Sequence, residues 1–306
     1  MWISSIEEAA ELALKGNEAA MTTYGPDFGA LANDPAALED LDLLSLQTQL
    51  GPIPLLKNGA NNYWDRAHEA RAFRAAGFKM LGVDVDRFLV IRETAGFAAT
   101  RPEFSALNTA LVSMADGMNT AAADGFFMIP DLGGPFETHL RFFDSHPNIT
   151  FYLQTALHLL EGLGLDVTIP DLKIHQRDYA GDLAARFGSA AAPTCFFQSP
   201  FLESEIAADP GRNTGRTRTF ENPAAANDVH LVLIGDSHGY SGLSGLLSFF
   251  VRRLTYFWAS RASKYGGLAD QLHTTIRTAD FVIEESAERF FLRNFSKPAS
   301  NVTGAE

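Results

Sequence analysis

From Gly77 onward, short apolar runs alternate with longer amphipathic segments, a pattern that predicts strands joined by helices. The strand candidates are Phe88 to Ile91, Phe126 to Ile129, Cys195 to Phe197, His230 to Ile234, Leu254 to Trp258 and Phe281 to Glu284. Helices are predicted over Glu103 to Ala123, Phe151 to Gly162, Asp178 to Phe187 and Ser241 to Arg252. The first 75 residues read differently. Ile6, Ala9, Ala10, Ala13 and Leu14 share one helical face, and a breaker-rich turn from Tyr24 to Gly29 follows. The chain is thus expected to hold a helical N-terminal extension over residues 1–75 and an α/β domain over 76–306. The polar stretch from Ser204 to Asn227 predicts a long surface loop or lid. Its Arg212, Arg216 and Arg218 would meet an anionic substrate or simply face solvent.

Composition narrows the classes. With 306 residues, 46% apolar and 20% charged, the chain can bury a core and is neither disordered nor fibrous. A formal charge of −13 opposes a phosphate backbone, so nucleic acid is not an expected partner. One cysteine, Cys195, excludes an intrachain disulfide and a Cys-rich zinc site, and it reads as a small buried hydrophobe. Glu7, Glu8 and Glu11 stand where an export signal needs a basic start and an unbroken apolar run. Leu243 to Trp258 is interrupted by Arg252 and Arg253 and is too short to span a bilayer. The expectation is a cytoplasmic protein without a transmembrane segment, or a periplasmic one if the natural start lies upstream. No phosphate-cradling loop of the G-x-x-x-x-G-K-S type is present, and no cofactor is expected.

Two stretches carry candidate chemistry. The first is the apolar strand Val229 to Ile234 running into Gly235-Asp236-Ser237-His238-Gly239, with an amphipathic segment directly after. A strand-to-helix turn lifts a side chain above the carboxyl edge of a sheet, where α/β proteins place ligands, and helix-start amides suit developing negative charge. Ser237 is placed like a nucleophile, although Asp236 and Ser237 would equally suit a helix cap. The second stretch is Asp144-Ser145-His146. Residues two apart in an extended segment point the same way, so a bend would let Asp144 orient His146 as a base for a serine hydroxyl.

These motifs together resemble a family. Asp144-Ser145-His146-Pro147-Asn148, followed by Phe151-Tyr152-Leu153-Gln154, is similar to the D-x-H-W-N signature and ensuing helix of the alginate O-acetyltransferase family of SGNH-hydrolase-like proteins. Gly181-Asp182-Leu183 resembles a G-D-L element of that family, Ile234-Gly235-Asp236-Ser237 its nucleophile turn, and Val282 to Phe290 its last strand with the Glu288-Arg289 pair. The resemblance covers Gly77 to Leu292 and keeps the order in which the acid and base precede the serine. It implies a flavodoxin-like, mostly parallel sheet flanked by helices. It further implies Ser237 as nucleophile, His146 as general base and Asp144 as orienting acid. Gly235, Asp236, His238, Asn148 and Arg289 become candidates for the oxyanion or the substrate, with the Ser237 and His238 amides as oxyanion donors. The expected partners are a carbohydrate acceptor and an acyl donor, with no metal. Pro147 stands where the family has Trp.

Two other readings exist. A catalytically silent glycan-binding or assembly module would keep this fold. A metal-dependent phosphoesterase is suggested by Asp236-Ser237-His238-Gly239, which resembles a D-x-H-G metal motif, yet only His273 follows as a further histidine and the remaining metal motifs are missing. His175 and Asp178 could join Asp144 and His146 around a metal, or sit in a polar loop leading into a helix. His158 reads as a helix-face residue, Arg252 and Arg253 as solvent-facing or paired with acids, and Glu288-Arg289 as an ion pair or, for Arg289, a substrate contact. Phe249-Phe250 and Phe290-Phe291 read as core.

Overall fold

A computed structural model describes residues 2–12, 15, 71–72, 74–80, 82–91, 127–128, 141, 144, 146–181, 191–207, 215–258 and 266–287. In chain order its strands and helices are β1 (Trp2–Ile3), β2 (Arg87–Ile91), β3 (Phe127–Met128), α1 (Ile149–Gly162), β4 (Ile174–Tyr179), β5 (Ala192–Phe197), β6 (Leu202–Ala207), β7 (Arg216–Glu221) and β8 (Asn227–Gly235). A π-helical turn (Gly239–Leu243), α2 (Ser244–Leu247), β9 (Val251–Trp258), α3 (Gly266–Ile276) and β10 (Phe281–Ala287) follow. Residues 6–12 are also helical.

A seven-stranded sheet runs β3-β2-β10-β8-β9-β7-β6. The strands from β3 to β9 in that order are parallel, and the β6–β7 hairpin adds antiparallel at one edge. The centre is built by the sequences that cannot face water. Leu231, Val232, Leu233 and Ile234 of β8 are at most 2% exposed, as a strand covered on both faces requires. Each such side chain contributes roughly 1.5–3 kcal/mol of transfer free energy. Helix α1 lays Phe151, Tyr152, Ala156, Leu159 and Leu160 into the same core. The spacing of three and four between these positions is what gives it one apolar face.

A second, three-stranded antiparallel sheet, β1-β4-β5, packs Ile3, Ile174 and Cys195 against Ile149 and Ala9. It borders the start of α1.

Three sequence expectations need correction. The helix predicted over Asp178–Phe187 begins in strand: Asp178 and Tyr179 pair with Pro193 and Ala192 of β5. The helix predicted over Ser241–Arg252 stops at Leu247, and Val251 already belongs to β9. Ser248 Oγ donates to the Gly245 carbonyl at 2.7 Å, and Phe249 and Phe250 donate to Leu246 and Leu247, which closes the last turn. The β-branched and aromatic run beyond then prefers the pleated surface beside β8. The loop expected over Ser204–Asn227 contains β6 residues and all of β7, where Thr217 and Phe220 are buried. Threonines on the inner face hid the period-2 pattern. Arg216 and Arg218 are spent on Glu205, at 2.7 and 2.9 Å, and Arg218 lies 3.5 Å over the Tyr240 ring. Arg252 and Arg253 pair with Asp228 and Glu221. Residues 103–123, Asp182, Leu183, Arg212, Glu288, Arg289, Phe290 and Phe291 lie outside the described residues, as does most of 1–75.

Gly242 locks α1 to the turn after β8. A Cβ there would overlap the ring of Tyr152, which is fully buried. Gly242→Ala is expected to cost about 1–3 kcal/mol through overpacking. Urea unfolding followed by tryptophan fluorescence reads this as a lower midpoint at unchanged slope.

Candidate active site

The carboxyl ends of the central parallel strands β8 and β10 define the site. β8 stops at Gly235, and the chain turns into the helical segment through Asp236, Ser237 and His238. Ser237 is half-buried at this rim. The turn is held from inside by carboxylates. Asp236 is 2% exposed, and its Oδ1 accepts the His238 amide at 2.9 Å while its Oδ2 accepts the Ala287 amide of β10 at 2.7 Å. Tyr256 Oη donates to the Asp236 carbonyl at 2.6 Å. Glu285, on β10, accepts the Asp236 and Gly239 amides on one oxygen, Oε2, at 3.0 and 3.1 Å. The Tyr240 amide closes on the Asp236 carbonyl at 3.1 Å.

Of the amides from 236 to 240, only that of Ser237 has no bond among the described residues. His238 therefore does not fit the oxyanion role expected of its amide, because Asp236 already holds that hydrogen. Gly235 and Gly239 are glycines for a steric reason: a Cβ on either would run into Glu285 Oε2 and the Tyr256 ring.

The second half of the site precedes α1. Asp144 Oδ1 accepts both the His146 backbone amide, at 3.1 Å, and the His146 Nδ1 hydrogen, at 2.8 Å. This is an Asx-type turn, in which a short carboxylate folds back onto the residue two ahead, and it is why two neighbouring side chains can meet. Asp144 Oδ2 is met by Arg141 Nη1 at 3.2 Å. Arg141 in turn rests over the Phe196 and Tyr179 rings, at 4.5 and 5.6 Å. The small sheet thus carries the guanidinium that steadies the acid.

With Nδ1 donating to Asp144, Nε2 of the neutral ring is an acceptor. That atom is buried and has no partner among the described residues. The His146 ring lies 4.9 Å from the His238 ring, centroid to centroid, beside the turn that carries Ser237. Stretches some ninety positions apart in the chain converge here. Asn148 works as the N-cap of α1, its Oδ1 accepting the Thr150 and Phe151 amides at 3.0 and 3.3 Å, which fixes the chain just after His146.

The remaining candidates are elsewhere. His175 sits on β4 edge-on to the Trp2 ring, 5.5 Å away, and Asp178 is exposed on the same strand. Cys195 is buried, which pushes its thiol up and away from nucleophilic use. The metal-phosphoesterase reading does not fit Asp236, whose two oxygens face inward and are taken by backbone amides.

Sequence reasoning missed Arg141 and Glu285. Arg141 offers only its spacing of three from Asp144. Glu285 is one of two adjacent acids, Glu284 and Glu285, in a strand whose flanking residues are apolar, and buried acids are rarely without purpose. Both are 2% exposed. Glu284 pairs with Arg74, Nε to Oε2 at 3.0 Å, on the opposite face of the strand. Burial lowers the Arg74 guanidinium to about 10, against the pull of Asp236 and Glu285. Burial, and then the Asp236 carboxylate, push Glu285 well above the usual carboxylate range.

A mostly parallel α/β sheet with a serine turn and an acid–imidazole pair at its carboxyl edge is the class these elements define. No family model matches the chain, and no curated protein matches its sequence. Among solved structures it is similar to a DHHW family protein from Eubacterium siraeum, with TM-score 0.51 and 13% identity over 75% of this chain and 88% of that one. It is equally similar to Bacillus cereus PatB1 with a sulfonyl adduct, at TM-score 0.51 and 11% identity over 76% and 90% of the two chains. The O-acetyltransferase domain of Pseudomonas putida AlgJ aligns over 79% of this chain and 87% of that one, at 17% identity and TM-score 0.42. The first two carry the likeness of fold. No helix among the described residues is long and apolar enough to cross a membrane.

Proposed function

We propose that this chain has an SGNH-hydrolase-like domain and transfers acyl groups, most simply acetyl, to or from carbohydrate hydroxyls through a Ser237–His146–Asp144 triad. One observation carries the reading: an imidazole held by a carboxylate on Nδ1, with Nε2 buried and open, beside a serine turn at the carboxyl edge of a parallel sheet. Ser237 Oγ attacks the acyl carbonyl as His146 Nε2 takes its proton, and Asp144 stabilises the imidazolium. The Ser237 amide holds the oxyanion. His146 then protonates the leaving oxygen, and an acyl-enzyme remains. An incoming hydroxyl gives its proton to His146 and takes the acyl group, so a sugar acceptor makes a transferase and water an esterase. Water exclusion at the rim decides between the two.

The test uses the reagent class behind the PatB1 adduct. Wild-type protein treated with a sulfonyl fluoride is expected to gain one adduct by intact mass, mapped to Ser237, and to turn over an acetyl ester chromogen. A protein that neither acquires the adduct nor cleaves the ester overturns the triad and leaves the silent glycan-binding module as the reading of the fold.

A further inference from the structure

The acid beneath the serine turn has no place in the chemistry above, yet it accepts two of the turn's own amides. Glu285 comes from the central strand β10, and its Oε2 alone accepts two amides of the turn, those of Asp236 and Gly239. Those hydrogen bonds bracket Ser237 from both sides in sequence. With the His238 amide on Asp236 Oδ1 and the Tyr240 amide on the Asp236 carbonyl, every amide around Ser237 points inward except its own.

The glycines on either side record how close the carboxyl lies. Neither Gly235 nor Gly239 has room for a Cβ beneath this oxygen and the Tyr256 ring. The other oxygen, Oε1, is buried without a hydrogen-bond partner among the described residues, so the grip on the turn runs through Oε2 alone. The charged and titratable groups that bear on Glu285 include Asp236 on the turn, Tyr152 on α1 and Arg74 on the helical segment at 74–80. Burial, and then the neighbouring Asp236 carboxyl, disfavour a charge on Glu285. The two amides need only an accepting oxygen, which the neutral acid supplies as well as the carboxylate.

We propose that Glu285 is a positioning residue for Ser237: its Oε2 gathers the flanking amides beneath the turn and leaves the Ser237 amide as the oxyanion donor. This rests on the triad reading. It predicts that the acceptor oxygen matters and the ionisable group does not. Glu285→Gln keeps an oxygen in the same place, whereas Glu285→Leu keeps the volume and removes the acceptor.

Acetyl ester kinetics, sulfonyl fluoride labelling rates and thermal melting are measured on wild type and both variants. The Leu variant is expected to lose about 10²- to 10³-fold in kcat and in labelling rate, on the scale of a lost oxyanion donor, with KM within about three-fold. The Gln variant is expected to stay within about ten-fold of wild type in both. A folded Leu variant within ten-fold of wild type, or a Gln variant that loses more than ten-fold, overturns the proposal. If the Leu variant shows no cooperative melt, the Gln variant decides by the same ten-fold limit. A wild type that is inert to ester and reagent sinks the triad and this role together. An active wild type with an active Leu variant sinks only the role of Glu285.

Discussion

Ser237→Ala is expected to lower kcat for an acetyl ester by about 10⁴- to 10⁶-fold and to abolish the sulfonyl adduct, while KM changes little. The size follows from what the hydroxyl does in the proposed route. Without it there is no acyl-enzyme, and the reaction falls back on direct attack by water at a site that still binds the ester and still offers the Ser237-position amide. At roughly 1.4 kcal/mol for each factor of ten, this is at least about 5 kcal/mol of lost transition-state stabilisation. The alanine should fold normally, because the amide bonds that hold the turn run from Asp236, His238, Gly239 and Tyr240 and do not involve the Ser237 side chain.

A second variant sharpens the result. Triad members act as a unit, so removing His146 as well should cost little beyond the single loss. If Ser237→Ala keeps more than a tenth of wild-type kcat, the hydroxyl is not the nucleophile, whatever else the site does. Matching melts of the variant and wild type separate this outcome from misfolding.

How far the sequence reached depends on which residues carry information locally. β8 and β2 were legible because a strand buried on both faces is apolar there, as Leu231 to Ile234 and Phe88 to Ile91 are. Helix α1 was legible from its three-and-four spacing. The hairpin β6–β7 was not, because an exposed edge strand tolerates Glu203, Ser204 and Glu205, and β7 buries threonine where a reader looks for valine. β9 was cut short at its start because Val251-Arg252-Arg253 continues an amphipathic helical pattern until a neighbouring strand decides the matter.

The site divides in the same way. Asp144 and His146 were legible since their contact is local, a turn two residues long. The place of Ser237 in the turn after β8 was legible from the strand-to-turn transition. The groups that hold them, Arg141 through Phe196 and Tyr179 on one side and Glu285 through two amides on the other, act across tertiary contacts that no spacing records. Asn148 and His238 looked like substrate or oxyanion groups by their position in a motif. The Asn148 side-chain oxygen is used in starting α1, and the His238 amide in building the turn.

Asp144→Asn is the sharpest probe of that local geometry, with an expected loss of about 10⁴-fold in kcat at neutral pH. Asp144 presents one oxygen to two donors of His146 and the other to Arg141, so it acts solely as an acceptor. An asparagine keeps one oxygen and exchanges the other for an amide donor. Arg141, a pure donor, claims the remaining oxygen, and the new NH₂ then faces His146, where it loses the backbone amide bond and finds relief only at the ring. The imidazole answers by accepting on Nδ1, which moves its proton to Nε2, the atom that receives the Ser237 proton in the proposed route. The ring is still in place and the base is gone. The prediction therefore separates tautomer control from mere packing: the melt should move by no more than about 1–2 kcal/mol of stability, while kcat collapses and KM holds. Sulfonyl labelling should slow in parallel, because it draws on the same base. An Asp144→Asn protein that labels and turns over at the wild-type rate would show that the carboxylate is only a structural anchor for Arg141, and that the proton leaves Ser237 by another path.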